Sequence, residues 1–335
     1  MKLVNVKDVA LRAGVSVGTV SNVMNHPEKV SGKSIALVRS AIDDLGFIRN
    51  DAARQLREGR SSTIGLIVLD ARNPFFTDMA RGAEARAAEA GLSVLLANSG
   101  ASVEREATYL DLFEQQRVHG VLISPLGEST SRLVTLRARG IPAVLVDRAI
   151  ADLSFSSVSV DDVAGGRMAA EHLIAIGRNR LAYLSGPPGL RQTADRLEGA
   201  RQAVAAHPGV NLAVIELDSL SVHAGRAAGT AISALAECPD AIFAANDLVA
   251  IGVLQALVVR GSGITVPDDI AIIGYDDIDF ATSAIVPLSS IRQPSALIGQ
   301  TAIDILLEEA ADPGIPPRQV LFQPELVARA STTTT

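Results

Sequence analysis

VKDVALRAGVSVGTVSNV, residues 6–23, is built as two short helices around one tight stop. Val6, Val9, Ala10 and Ala13 recur at helical spacing and give one apolar face. Gly14 ends that helix, because glycine takes the left-handed backbone of a tight stop at the least cost. Val15 is the plug of the turn, and Ser16 is an N-cap for the second helix. Val20 and Val23 face back to the core, which leaves Val17, Gly18, Ser21 and Asn22 pointing outward. A helix with small and polar outward residues fits a DNA major groove, where side chains meet base edges. The same spacing also fits a plain helical hairpin, so the pattern alone leaves both open.

Charge favours the first of these. The chain carries a net charge of −7, yet residues 1–60 hold ten Lys and Arg against six Asp and Glu. All four lysines (Lys2, Lys7, Lys29, Lys33) lie in this head. A basic head on an acidic body is an electrostatic footprint for phosphate at one end. Ser31 opens a third helix through Ile35, Leu37, Val38, Ala41, Ile42 and Leu45, and Gly46 stops it. Residues 49–60, RNDAARQLREGR, favour helix but lack the apolar positions to pack on a core. Isolated helices this short are marginal in water, so the segment is either a hinge that orders on DNA or a solvated linker.

With 335 residues and 48% hydrophobic content, the chain has material for two or three globular domains. No apolar run approaches the ~20 residues of a membrane helix. The first apolar helix is interrupted by Lys7, Asp8 and Arg12, which does not suit a signal peptide. A single cysteine, Cys238, excludes an internal disulfide and suits a reducing cytoplasm.

From Thr63 onward apolar strands alternate with amphipathic helices. Strands are expected at 64–69, 93–97, 120–123, 143–146, 157–160, 180–184, 212–217, 241–244, 270–274 and 289–292. Helices are expected at 76–90, 104–117, 129–139, 163–176, 191–206, 223–236, 247–260 and 295–309. Such alternation gives parallel sheets with right-handed crossovers and helices on both faces. Ten strands are many for one open sheet, so the expected fold is α/β. It has an all-α helix-turn-helix headpiece and two doubly wound subdomains with a cleft between them.

Ligands of such sheets sit beyond the carboxyl ends of the strands. Those positions here hold Asp70, Asn73-Pro-Phe-Phe76, Ser124, Asp147-Arg148, Asn246-Asp247, Asp276-Asp277 and Gln293, with Arg191 and Arg196 on a following helix. Carboxylates accept from paired hydroxyls, amides donate and accept, and Arg donates in a fixed fork. A phenyl ring covers the apolar face of a sugar. That set suits a small polyol. Each Asp or Asn also serves as a cap or turn former, and Asp161, Asp162, Asp247, Asp268 and Asp269 are read that way.

The motifs VKDVALRAGVS, GTVSNVMN, NPFF, IPAVLVDR, RLEG, AIFAANDLVAIG, VPDDIAIIGYDDID, PLSSIRQP and PELVAR, in this order, resemble the LacI/GalR family of bacterial transcription regulators from about Leu3 to Ala330. The resemblance implies a helix-turn-helix domain (1–48), a hinge (49–60) and an effector-binding core (61–335). The core divides into an N-subdomain of about 61–160 and 291–322, and a C-subdomain of about 161–290 and 323–335. It implies a homodimer on near-palindromic operator DNA. Val17, Gly18 and Asn22 match base-reading positions; Ser16, Thr19, Ser21 and Asn25 match phosphate or neighbouring-base positions. Many members carry Arg where this chain has Asn22; Arg favours guanine, whereas Asn pairs best with adenine. In the hinge, Ala53 and Leu56 match minor-groove residues, Leu56 as a wedge, with Asn50 and Arg54 as backbone contacts.

The body is similar to periplasmic sugar-binding proteins of the ribose type. Asn73, Phe75, Phe76, Asp147, Arg148, Arg196, Asn246, Asp276 and Gln293 match that type's sugar contacts. Leu220, with Ser219 and Ser221 beside it, stands where that type has a Phe, so the sugar is a pentose or a hexose. The NPFF segment lacks the pattern of purine-binding members. The resemblance thus implies a cytoplasmic repressor released by a sugar, with no catalytic residue, cofactor or metal. The residues themselves leave open a solute-binding protein, a regulator using a corepressor, and an enzyme acting on sugars or nucleosides with Asp276 or Asp147 as base. Against the enzyme, Gly186-Pro-Pro-Gly189 lacks the Lys of a phosphate loop.

Overall fold

The computed structural model describes residues 4–47, 61–127, 131–148, 154–259 and 263–333. Two compact units divide the chain, Met1–Gly59 and Arg60–Thr335.

In the first unit, α1 (Val6–Ala13) starts at a reciprocal cap. Asn5 accepts from the Lys7 and Asp8 amides, and the Asp8 carboxylate takes the Asn5 amide at 2.9 Å. Gly14 (φ 66°) ends α1, its N–H donating to the Ala10 and Leu11 carbonyls. Helix α2 (Val17–Asn25) is capped by Ser16, whose Oγ accepts from the Thr19 amide at 3.0 Å. Helix α3 (Gly32–Leu45) runs from the Ser31 cap to Gly46 at φ 58°. Val9, Ala10, Ala13, Val20, Val23, Val38, Ala41 and Phe47 form one core, with Val15 packed against it. Leu37 departs from expectation and is exposed. The inward stripe runs Ile35, Val38, Ile42, Leu45, and position 37 falls off that face. Arg12 bridges α1 to α3 through Asp44 at 2.5 Å. The expected hinge, with Asn50, Ala53, Arg54 and Leu56, lies outside the described residues.

The second unit holds two six-stranded sheets. In chain order its strands are β1 (Thr63–Val68), β2 (Ser93–Asn98), β3 (Gly120–Ile123), β4 (Ala143–Val146), β5 (Ser157–Val160), β6 (Arg180–Ser185), β7 (Asn211–Glu216), β8 (Ala241–Ala244), β9 (Ala271–Asp276), β10 (Ser289–Arg292), β11 (Gln319–Phe322) and β12 (Glu325–Val327). The first sheet has the order β11-β5-β4-β3-β1-β2 and the second β12-β10-β9-β8-β6-β7. All neighbours pair in parallel except β10 with β12. Central strands such as β3, β4 and β8 are buried along their whole length, as parallel strands covered on both faces must be.

Helices α4 (Pro74–Glu89), α5 (Val103–Gln115), α6 (Ser131–Ala138) and α12 (Ser295–Ala311) cover the first sheet. The α4/α12 face is cored by Leu66, Phe76, Met79 and Ile303, and the opposite face by Phe113, Val121, Leu136 and Leu145. Helices α7 (Asp162–Ala175), α8 (Arg191–Ala205), α9 (Val222–Ser233) and α10 (Asp247–Leu254) cover the second, and α11 (Asp279–Thr282) is one short turn. Here Tyr183, Phe243 and Tyr275 fill the α7/α8 face, and Leu184, Ile232 and Val253 the other.

The chain passes between the sheets three times: after β5, after β10 and between β11 and β12. Neither β11 nor β12 was expected as a strand. Both are short edge strands with several exposed side chains, which weakens any apolar signal. Nor is the expected helix over 247–260 regular, because α10 continues as a π-helical turn over Gln255–Val259.

Candidate functional site

In the first unit, the outward face of α2 is the surface that DNA chemistry would use. Val17, Gly18 and Asn22 are exposed, while Thr19 and Ser21 are half-buried. Ser16 and Thr19 share a hydroxyl contact of 2.9 Å at the start of the helix, leaving the face beyond it small and open. Asn25 is the last residue of α2.

In the second unit, the carboxyl ends of both sheets line one cavity of about 170 Å³. The first sheet contributes Asn73, Phe75, Phe76 and Asp147; the second contributes Arg196, Leu220, Asn246 and Asp276. Phe75 and Phe76 meet edge to face with centroids 5.0 Å apart, at the start of α4.

Asp276 sits at the end of β9 with φ 105°. Its Oδ2 accepts from Asn73 Nδ2 at 2.8 Å and its Oδ1 from Gln293 Nε2 at 2.7 Å. Asn73 also caps α4, its Oδ1 accepting from the Phe75 amide at 3.1 Å, so the cap fixes where its Nδ2 points. Asp147 follows β4 with φ 59°, and its Oδ2 accepts from Gln192 Nε2 at 2.8 Å and Ser124 Oγ at 3.3 Å. Gln192 Nε2 also reaches the Asp147 carbonyl at 2.8 Å. Burial pushes the Asp147 carboxyl up to about 8, with the nearby Asp162 charge adding to it. Burial likewise lifts Asp276 to about 6, held lower by Arg196 and its two amide donors.

Arg196 lies over the Tyr275 ring at 3.6 Å, with Nε on Asp162 Oδ1 at 2.8 Å and Nη1 on the Ala245 carbonyl at 2.6 Å. Its position depends on the close approach of α7 and α8. A Cβ on Gly166 would run into the Arg196 carbonyl, and one on Gly199 into the Val163 carbonyl. Asn246 caps α10 through the Val249 amide at 3.0 Å, and its Nδ2 donates to the Leu220 carbonyl at 3.5 Å.

Two expected contacts stand outside the cavity lining. Arg148 donates to the carbonyls of Pro125 and Gly127, holding the loop after β3. The left-handed backbone of Asp147 breaks the strand geometry between these neighbours, and Arg148 turns to the loop after β3. Gln293 lies one layer behind, donating to Asp276. The reading of Asp247 and Asp162 as caps is also corrected. Asn246 and Asp161 are the caps, at 3.0 and 2.9 Å. Asp247 is fully buried, accepting from the Ile278 amide at 2.9 Å and Ser290 Oγ at 2.7 Å. Asp162 is the ion partner of Arg196. Asp269 turns back on Thr265, accepting from its amide at 2.7 Å and its hydroxyl at 2.6 Å.

Sequence reasoning missed Gln192. It lies one turn before Arg196 on α8, and that i, i+4 spacing from an Arg already placed at the cleft was the available signal. Among the described residues no group of three or more His, Cys, Asp or Glu is arranged to hold a metal. Among them, too, no helix is long and apolar enough to cross a membrane.

Residues 5–50 match the family model for bacterial regulatory proteins, lacI family, and residues 170–332 match that for a periplasmic binding protein-like domain. The chain is 33% identical to the ribose operon repressor of Escherichia coli K12, over 98% of this chain and 100% of that one. It is 34% identical to the HTH-type transcriptional repressor PurR of Photobacterium profundum, over 98% of each. The lac repressor dimer bound to operator and the anti-inducer ONPF matches 99% of this chain and 100% of its own, with TM-score 0.84 and 29% identity. A LacI family regulator from Enterococcus faecium solved with ribose matches 81% of this chain and 98% of its own, with TM-score 0.74 and 27% identity. With relatives of this identity along nearly its whole length, the chain belongs to the lacI family of bacterial regulatory proteins.

Proposed function

We propose that the protein is a transcriptional repressor that binds near-palindromic operator DNA as a homodimer and is released by a monosaccharide, a pentose or a hexose. The observation that carries the effector reading is the pairing of Asp147 and Asp276, one carboxyl group from each subdomain, around one cavity beside Phe75 and Phe76. Each carboxylate is already aimed by amide donors and keeps lone pairs for sugar hydroxyls. The ribose in the Enterococcus faecium structure supports the same class.

The chain then works in three parts: residues 1–48 read DNA, 49–60 link, and 61–335 bind the effector. In the first part, Val17, Gly18 and Asn22 face bases, and Ser16, Thr19, Ser21 and Asn25 face phosphates or neighbouring bases. In the link, Ala53 and Leu56 enter the minor groove and Asn50 and Arg54 hold the backbone. A sugar bridging both subdomains favours the closed cleft. It shifts the DNA-binding equilibrium only by its differential affinity for the two states. The protein performs no catalysis; Asp276 serves as an acceptor, and the Asp147 carboxyl, raised to about 8, both donates and accepts.

The test is a gel shift of the full chain on duplexes enriched from a random pool, followed by titration of free sugars. The expected result is a retained complex released by one sugar, and loss of retention when residues 1–60 are deleted. A complex that every sugar leaves intact, with no sugar binding by calorimetry, would overturn the effector reading.

A further inference from the structure

The chain first crosses from one sheet to the other with a single intervening residue. Asp161 alone stands between β5, which ends at Val160, and α7, which starts at Asp162. The Asp161 amide donates to the carbonyl of Phe322, the last residue of β11, at 3.0 Å, so the first and third passages are bonded to each other. The Asp161 side chain caps α7 through the Ala164 amide at 2.9 Å. Asp162 is therefore the first residue of α7 and also the end of a fixed passage.

From there Asp162 reaches the cavity wall. Its Oδ1 accepts from Arg196 Nε at 2.8 Å, and both side chains are deeply buried. Arg196 lines the cavity, and its Nη1 donates to the carbonyl of Ala245, the residue before Asn246. Its guanidinium covers the ring of Tyr275, the residue before Asp276. The first turn of α7 packs tightly on this group, since a Cβ on Gly165 would meet the Tyr275 hydroxyl. The second passage carries a similar bond: Gln293, one residue past β10, donates to Asp276 at 2.7 Å. Asp147 and Asn246 are bonded instead to helix residues, Gln192 and Val249. Arg196 and Asp276 are thus the cavity residues tied to the passages, Arg196 through an ion pair.

We infer that Asp162 is a positioning residue that couples the cavity to the first passage. A ligand acceptor bonded to Arg196 fixes, through Asp162, the first turn of α7 and the passage that leads into it. This rests on the reading of the cavity as the effector site, and it names the side chain that passes occupancy on to the operator-binding equilibrium. Asn in place of Asp162 keeps the shape and an oxygen acceptor but exchanges an ion pair for a weaker bond to a neutral amide. A coupling residue changes the factor by which ligand weakens operator binding, and a merely structural one changes stability or ligand affinity.

Calorimetry on the full chain with D-ribose, D-xylose, D-glucose and D-galactose identifies a sugar that binds, and a gel shift on an enriched duplex gives operator affinity with and without it. In Asp162→Asn the sugar affinity of the operator-free protein is expected to stay within about three-fold of wild type, while the factor by which sugar weakens operator binding falls about ten-fold or more. Asp161→Asn, a cap-conserving change on the same passage, keeps that factor. Hydrogen exchange on the wild-type chain needs no variant: the amides of Ala164 and Gly165, which bond back to Asp161, are expected to exchange at least about three-fold more slowly at saturating sugar. An Asp162→Asn that releases the operator as fully as wild type would overturn the inference, and so would exchange at these two amides that sugar leaves unchanged. An Asp162→Asn that loses sugar affinity and keeps the factor would assign Asp162 to ligand binding alone and overturn it too. No binding of any of the four sugars would overturn the sugar reading, and sugar that binds wild type without loosening the operator would overturn the release reading, in each case with the inference.

Discussion

Asn73 donates to Asp276 at 2.8 Å across the cleft, joining the helix that follows the first strand of one sheet to the strand end of the other. The amide does two jobs at once, since its oxygen caps α4. Asn73→Ala leaves one carboxylate oxygen short of a buried donor, about 1–3 kcal/mol. It also removes the cap, about 1 kcal/mol. The expected outcome is a lower melting temperature and a sugar affinity reduced by ten-fold or more. A variant with wild-type affinity would dispose of the idea that Asn73 orients Asp276.

Gln192→Leu removes both donations to Asp147 and keeps a side chain of similar size. Sugar binding is expected to weaken while operator retention without sugar is unchanged. Calorimetry and gel shift on the same preparation check it, and unchanged sugar affinity would show that Asp147 needs no such support.

The two raised carboxyls have a consequence for pH. With Asp147 near 8 and Asp276 near 6, the folded protein holds protons that the unfolded chain releases above about pH 4. The folded state therefore binds more protons through this window, so stability falls as pH rises. The contribution is complete at low pH and is lost as pH climbs through 6 and then 8. Thermal melts between about pH 6 and 9 should show a falling midpoint, and Asp147→Asn should flatten the upper part of that slope. Identical slopes in both proteins would refute the assignment to Asp147.

Gly166→Ala tests whether helix packing sets the cavity. The added methyl meets the Arg196 carbonyl, and overpacking of this kind costs about 1–3 kcal/mol. Lower stability in urea and weaker sugar binding are both expected. Weaker binding with unchanged stability would mean that α7 and α8 absorb the methyl elsewhere.

On the DNA side, Asn22→Arg should move the preferred base from adenine toward guanine at one position per half-site, by about 1–3 kcal/mol. Enrichment from a random duplex pool reads this directly. An unchanged consensus would remove Asn22 from the base-reading set.

Much of this was legible because the signals are local. Val9, Ala10, Gly14 and Ser16 announce a capped, glycine-stopped helix pair within a dozen residues, and the strand ends carrying Asn73, Asp147, Asn246 and Asp276 follow from alternating patterns. What was illegible depends on distant packing. Asp162 looks like a cap until α8 brings Arg196 to it, 34 positions away. Asp247 looks like a cap until Ser290, 43 positions away, donates to it. Arg148, expected among the sugar contacts, is seen donating to the carbonyls of Pro125 and Gly127, a contact between residues more than twenty positions apart. The strands β11 and β12 borrow their pairing from partners far along the chain, β5 and β10, rather than from their own pattern.

The three chain passages between the sheets limit how the cleft can move. A single tether would let one half swivel freely, and two would still allow a bend about the line joining them. Three tethers, two of which run to or from the edge strands β11 and β12, leave fewer relative motions than one or two would. A narrower set of motions means that a contact made across the cleft, such as Asn73 to Asp276, constrains the two halves more than it would in a singly tethered pair.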